Sequence, residues 1–121
     1  MKASEILREA NRLLQKHGWT AFRLRNSYGC MCLEGALTAA VGLPGKQPSV
    51  VMPYVPEMSI AYDKLAEVAG DRYGTNPFEP DALYRYNDRD YRLEKRGRHG
   101  VPSVLLRDLS TAARRLEARG L

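Results

Sequence analysis

The sequence predicts a mostly α fold, a compact single domain of about four helices that spans residues 1–121. Apolar residues recur at helical spacing in several stretches, and glycine and proline punctuate the intervals between them. One of these stretches, from Gly35 to Ala40, carries almost no side-chain bulk, which favours close packing in the centre of the fold. A chain of 121 residues can also bury a core without disulfides.

The first predicted helix covers residues 4–17. Ser4 is its expected N-cap, and the apolar residues that follow keep helical spacing. Gly18 is expected to end the helix in the left-handed conformation, which glycine adopts without a steric penalty. Trp19 would then pack back on Leu14 as a structural plug, with a ligand-stacking role as the alternative.

The second predicted helix covers residues 31–41 and should lie centrally. Gly35 is unfavourable in a helix interior, so we expect a packing reason for it, namely close crossing by another helix. The preceding segment, residues 20–29, alternates apolar and basic residues and ends in a turn. It leaves open either a short β-ribbon or an irregular cover.

The C-terminal half predicts two further helices. The third covers residues 57–69, with Pro56 in its first turn and Gly70 as its stop. The fourth covers residues 102–119 and opens with a proline. Between them, residues 81–86 predict one or two helical turns.

The positive charge of the chain is concentrated at its C-terminal end. Residues 1–84 contain nine basic and nine acidic side chains, whereas residues 85–121 contain ten basic and five acidic ones. The net charge of +5 therefore lies entirely in the last 37 residues. Such asymmetry is a hint about binding partners and says little about the fold.

The two cysteines, Cys30 and Cys32, are separated by one residue, so a disulfide between them would be strained. Neither histidine stands at metal-ligand spacing from them, and we expect no metal and no other cofactor. No apolar run is long enough to cross a membrane, and the N-terminus lacks the apolar core of a signal peptide. We therefore expect no membrane association and a cytoplasmic protein.

Three short signatures occur in order along the chain: His17-Gly18-Trp19-Thr20, Cys32-Leu33-Glu34-Gly35-Ala36-Leu37, and Tyr86-Asn87-Asp88 ahead of a final amphipathic helix. Together they resemble a domain-of-unknown-function family of small proteins from actinobacteria and mycobacteriophages. The resemblance implies a compact helical fold and a source of that kind, the cytoplasm of the host cell being the location if the protein is phage-encoded. It implies no reaction and no ligand.

The resemblance has two departures. The family usually carries Trp-Asn-Asp at the third signature, where this chain has Tyr86, and the segment 89–100 is longer than the usual link into the last helix. Asn87 and Asp88 bond local backbone groups readily, so their structural interpretation is a capping or loop-pinning pair.

One functional hypothesis is a thiol-based enzyme. Cys32 at a helix N-terminus would have a lowered pKa, His99 could act as its base, and Asn87 or Asp88 could orient the histidine. Nothing in the spacing brings His99 to Cys32, so this is the remotest alternative, and we predict no catalytic residue and no enzyme.

A second hypothesis is nucleic-acid binding through the basic segment 85–98, where arginines alternate with tyrosines. Arginine contacts phosphate and tyrosine stacks on unpaired bases. Acidic residues dilute the segment, and no recognised nucleic-acid motif is present.

The favoured hypothesis is a non-enzymatic accessory protein, of phage or actinobacterial origin, that binds a host protein. The proline-rich segment 42–56 offers exposed apolar residues, with a lid over the core as its structural alternative. Tyrosine and arginine in the later segment are also enriched at interfaces. The predicted partner-binding residues are Met52, Tyr54, Tyr86, Asn87, Asp88, Arg89, Arg92, Arg96 and Arg98.

Overall fold

The computed structural model describes residues 1–93 and 100–121, and these parts of the chain are mostly helical. The helices within them are α1 (Ala3–His17), α2 (Leu33–Ala40), α3 (Pro48–Val51), α4 (Pro56–Tyr73), α5 (Ala82–Asp88) and α6 (Ser103–Glu117). A single 3-10 turn, Tyr91–Leu93, follows α5. None of these helices is long and apolar enough to span a bilayer.

The core lies between α1, α2, α4 and α6. Helix α1 packs on the other three, most extensively on α6 and α2, because its apolar stripe is continuous from Ala3 to Leu14. Helix α2 is buried throughout from Leu33 to Thr38, as expected for a central helix. The four main predicted helices are therefore present, and two shorter ones accompany them.

The two short helices lie in segments rich in turn residues. Helix α3 occupies part of the proline-rich segment that the sequence predicted as a loop, and Pro48 at its first position suits a helix start. Helix α5 confirms the helical turns predicted for residues 81–86 and continues to Asp88.

Two predicted helix ends were wrong. Ser4 is buried inside α1 and does not cap it; the helix begins after Lys2, whose backbone N–H donates to the Glu5 carboxylate at 2.7 Å. Gly70 does not stop α4, which continues to Tyr73 and ends at Gly74 with φ of 67°. A Cβ on Gly70 would lie 2.8 Å from the Thr75 carbonyl oxygen. Glycine at this position therefore lets the chain that leaves α4 pass close to the helix.

The first helix ends where the sequence predicted, at His17. Gly18 has the expected positive φ, 93°, but its ψ of 169° is extended, so the ending is not the left-handed cap that was predicted. Trp19 is fully buried in the core, which confirms its interpretation as a structural residue.

The segment between α1 and α2 is irregular. Two isolated bridges join Met31 to Trp19 and to Arg25, and the described residues form no strand, so the β-ribbon is not confirmed. The Cys32 N–H donates to the Leu24 carbonyl oxygen at 3.2 Å, which lays this segment against the start of α2.

Gly35 has a packing reason that differs from the predicted one. A Cβ built on Gly35 would lie 2.2 Å from the carbonyl oxygen of Leu24, far inside van der Waals contact. The chain that approaches α2 at this point is therefore the backbone of the irregular segment, and the expected crossing helix was wrong. Backbone cannot move aside as a flexible side chain can, so the position requires glycine.

We predict that Gly35→Ala destabilises the protein by about 2 kcal/mol, because the new methyl group forces Leu24 away from α2. Helix propensity alone predicts the opposite sign, a gain of up to about 1 kcal/mol. Urea denaturation followed by the fluorescence of Trp19, the single tryptophan, measures the change. Equal or greater stability of the variant would contradict the close approach.

Candidate functional site

The three sequence signatures meet at the side chain of Asn87. Its Oδ1 accepts hydrogen bonds from the Trp19 indole N–H at 2.8 Å and from the Leu33 backbone N–H at 2.9 Å. Its amide nitrogen donates to the Thr20 carbonyl oxygen at 3.2 Å. Asn87 is 3% exposed, so one buried amide joins α5 to the end of α1 and the start of α2.

Asp88 extends this cluster toward the surface. Its Oδ1 accepts from the Asn87 amide at 2.9 Å and from the Phe22 backbone N–H, also at 2.9 Å. Phe22 has a φ of 66°, a conformation that non-glycine residues rarely adopt. The carboxylate thus holds a strained residue in place, and the loop-pinning interpretation of the Asn87-Asp88 pair is confirmed.

A second buried network holds α5 against α6. Asp108 is fully buried and accepts from the Arg72 guanidinium, with the Nε bond at 2.8 Å, and from the Tyr86 hydroxyl. Burial and the Asp108 hydrogen bond raise the pKa of Tyr86 far above its usual value. Tyr86 also packs its ring against Tyr73 at a centroid distance of 5.8 Å.

These networks contain two of the predicted partner-binding residues. Tyr86 and Asn87 are 7% and 3% exposed, and their polar atoms are bonded inside the protein. In this structure they therefore hold the helices in position. The sequence could not show this, because buried and exposed tyrosines in one helical turn look alike in a single chain.

The exposed arginines of the predicted surface lie around tyrosines. Arg89 places its guanidinium 3.9 Å from the centre of the Tyr73 ring, a cation–π contact. Arg92 donates to the Tyr91 hydroxyl at 3.3 Å, and the Tyr91 ring lies 5.3 Å from that of Phe22. The predicted Arg96 and Arg98, and the proposed base His99, lie outside the described residues.

Cys32 lacks the property on which the thiol hypothesis rested. It is 7% exposed and caps α2 through its sulfur, which accepts from the Gly35 N–H at 3.3 Å. Burial raises the pKa of the thiol to about 11, and this effect outweighs the helix N–H groups that lower it. The expectation of a lowered pKa was therefore wrong, and Cys32 is a buried residue that caps α2.

The hydrogen-bonded group of Trp19, Thr20, Leu33, Asn87 and Asp88 is called the motif cluster below. A groove of about 380 Å³ opens beside it. It is lined by Glu34, Gln47, Pro48, Ser49, Met52, Tyr62, Pro80, Asp81 and Tyr84. Its walls come from α2, α3, α4 and the start of α5, and its volume is within the range of ligand-sized pockets. Met52, one of the predicted binding residues, lines it, whereas Tyr54 stands nearby on the surface with 82% exposure.

Glu34 is the residue of this groove that sequence analysis missed. It lies on α2 and is 7% exposed, and its Oε1 accepts from the Tyr62 hydroxyl at 3.4 Å. Among the described residues no cation forms an ion pair with it. Burial raises the pKa of the Glu34 carboxyl, and the charge of Asp88 adds to this effect. A lone acidic residue in an otherwise small and apolar helix was the available signal.

The groove and the motif cluster share a boundary. A small recess between them is lined by Arg23, Cys32, Glu34, Tyr84, Asn87 and Asp88. Glu34 and Tyr84 therefore belong to both the recess and the groove. The hydrogen bonds of Asn87 thus fix the start of the helix that presents Glu34.

Residues 1–95 match a family of unknown function, DUF6197. The chain belongs to DUF6197. This confirms the predicted resemblance to a domain-of-unknown-function family, and the DUF6197 match contains the three signatures and every residue that lines the groove. No curated protein and no solved structure matches the chain. No group of three or more His, Cys, Asp or Glu side chains in residues 1–93 and 100–121 could hold a metal ion.

We predict that Asn87→Asp destabilises the protein by about 3 kcal/mol. The substituted carboxylate can still accept from Trp19 and Leu33, but it cannot donate to Thr20 and it places a second negative charge beside Asp88. Urea denaturation measures the loss.

Asn76→Asp is the matched control for this change. Asn76 is exposed, and its Oδ1 accepts from the Phe78 N–H at 3.0 Å, a bond that aspartate retains. Its stability should change little. Equal losses for the two variants would contradict the donor role of the Asn87 amide.

We predict that Glu34→Gln stabilises the protein by about 1 kcal/mol at about pH 7, since glutamine keeps the acceptor for Tyr62 and removes a buried charge. The folded-state pKa of Glu34 lies above its ordinary value of 4.5, so the folded wild type binds a proton more tightly than the unfolded chain. Wild-type stability relative to the variant therefore falls as the pH rises from 4.5 through the folded pKa.

Thermal denaturation of both proteins between about pH 4 and pH 8 tests this. The advantage of Glu34→Gln should disappear at the acidic end. Glu57→Gln, a partly exposed glutamate in the first turn of α4, is the control and should bring no gain. A variant that is less stable than wild type at neutral pH would show that the charge of Glu34 supports the fold.

Proposed function

We propose that this protein is a non-enzymatic accessory protein that docks on a host protein through the groove and the surface beside it. This surface, called the α3 surface, consists of Val50, Met52 and Tyr54, in and just after α3. The observation that carries the proposal is the groove itself, in which the buried carboxylate of Glu34, which forms no ion pair in the described part of the chain, lies among tyrosine, methionine and proline side chains. Pockets with apolar walls and a few placed polar groups are typical binding sites. The sequence-based choice of Met52 and Tyr54 as contact residues supports the same face.

The α3 surface offers anchors for a partner. Tyr54 is 82% exposed and Val50 is 54% exposed, and both belong to the short segment that carries Met52. Tyrosine is among the residue types that dominate binding energies at interfaces. Exposed apolar side chains next to a groove fit an interface with a buried centre and a wider contact area.

We further propose a phage or actinobacterial source and action in the cytoplasm of the host cell. The support is the resemblance in the three signatures together with membership of DUF6197. A small protein that acts by docking needs no catalytic residue, and for this reason we propose no enzymatic activity.

Nucleic-acid binding is the second candidate function. Phe22 is 57% and Tyr91 is 44% exposed, their rings are in contact, and Arg92 lies beside Tyr91. Exposed aromatic rings with arginine suit single-stranded nucleic acid. The concentration of the +5 charge in the last 37 residues supports this alternative, whereas the acidic groove favours the protein partner.

The proposal is tested by affinity capture from an actinobacterial lysate, with and without nuclease, followed by mass spectrometry. Wild type is compared with Tyr54→Ser and with Tyr28→Ser, a control tyrosine that is 66% exposed and lies outside the groove. We expect a discrete host protein that survives nuclease, remains with Tyr28→Ser and is depleted at least about tenfold with Tyr54→Ser, a loss typical of an interface anchor.

Two results would contradict protein docking. Capture that disappears with nuclease would move the function to nucleic acid, and Arg92→Ala should then weaken the recovery. Equal capture by both tyrosine variants would show that the α3 surface is not the contact.

A further inference from the structure

The groove carries negative charge in a protein whose net charge is +5. Glu34 and Asp81 line it, and the adjoining recess is lined by Asp88 and by Arg23, which forms no ion pair with Glu34. Asp81 is already paired with Arg85, through a bond of 2.7 Å to the arginine Nε. Glu34 has no such partner among the described residues, so its charge is the one available to a ligand.

The walls of the groove suit the rest of a basic side chain. Met52, Pro48 and Pro80 offer apolar surface against which an alkyl stem can pack. Tyr62 and Tyr84 add aromatic rings, which attract cations as well as apolar groups. A neutral apolar ligand would leave the buried carboxylate uncompensated, and an anion would be repelled by it.

We infer that the groove binds the side chain of a lysine or arginine from the partner protein, with its cationic group at Glu34 and its stem between the apolar walls. This inference rests on the proposed protein-docking function and names the chemistry of its central contact. The partner's cation supplies the counter-charge that no described residue provides to Glu34, so ligand binding removes an electrostatic penalty that the free protein carries. Truncation of that basic residue should therefore weaken the complex strongly.

The test is a nuclear magnetic resonance titration of isotope-labelled full-length protein with N-acetyl-lysine N-methylamide and N-acetyl-arginine N-methylamide. N-acetyl-norleucine N-methylamide is the matched neutral probe, since it keeps an alkyl chain and lacks the ammonium group. We expect saturable shifts at Glu34, Tyr62 and Tyr84 with at least one basic probe and none with the norleucine derivative. Glu34→Gln should weaken this binding by about tenfold or more, and Glu57→Gln should leave it unchanged.

Absence of binding by both basic probes would overturn the inference. Equal binding of the norleucine derivative, or wild-type affinity in Glu34→Gln, would do the same. Failure of this inference is separable from failure of the proposed function. If protein capture depends on Tyr54 but neither basic probe binds, the docking function stands and only the basic side chain in the groove is rejected. If the probes bind in a Glu34-dependent manner but no protein is captured, the cation site stands and the docking function is rejected.

Discussion

The arrangement of the site depends on one buried amide. Asn87 uses both its acceptor and its donor to join three segments that are far apart in sequence, and its Oδ1 is the shared acceptor of the buried Trp19 indole N–H and the Leu33 N–H. The Leu33 N–H belongs to the first turn of α2, where a helix has no internal partner to offer. Asn87 therefore sets where α2 starts, and this start places Cys32 as the cap, Gly35 against Leu24 and Glu34 at the groove.

Two glycines allow backbone to approach a helix closely because glycine has no side chain. Gly35 lets the backbone at Leu24 reach the surface of α2, and Gly70 lets the chain return past α4 at Thr75. In both places the neighbour is a carbonyl oxygen, which cannot rotate away as a side chain does. Irregular backbone therefore packs directly on α2 at Gly35 and on α4 at Gly70.

Local patterns predicted the elements well and the contacts poorly. The stripe of α1 and the turns of α5 were readable because helical periodicity is a local property. The pKa of Cys32 could not be predicted in this way. A helix N-terminus lowers the pKa of a thiol, but burial by residues distant in sequence raises it more. Tyr86 and Asn87 were assigned to a surface for the same reason: only Trp19, Leu33 and Asp108, remote in sequence, decide that they are buried. Glu34 was missed because the groove around it is assembled from α3, α4 and the start of α5.

The charge of Glu34 is the feature that the fold does not explain. Its hydrogen bond to Tyr62 requires only an acceptor, which a neutral amide would provide without the cost of burying a carboxylate. Asp108, in contrast, is buried together with the Arg72 guanidinium, which compensates its charge, and it accepts a further hydrogen bond from the Tyr86 hydroxyl. Within residues 1–93 and 100–121, Asp108 is therefore a buried carboxylate with a counter-ion, whereas Glu34 is a buried carboxylate that forms no ion pair. Glu34 lies at a groove with apolar walls, where the proposed basic side chain of a partner would compensate its charge, so the electrostatic cost of burying Glu34 in the free protein would favour that complex.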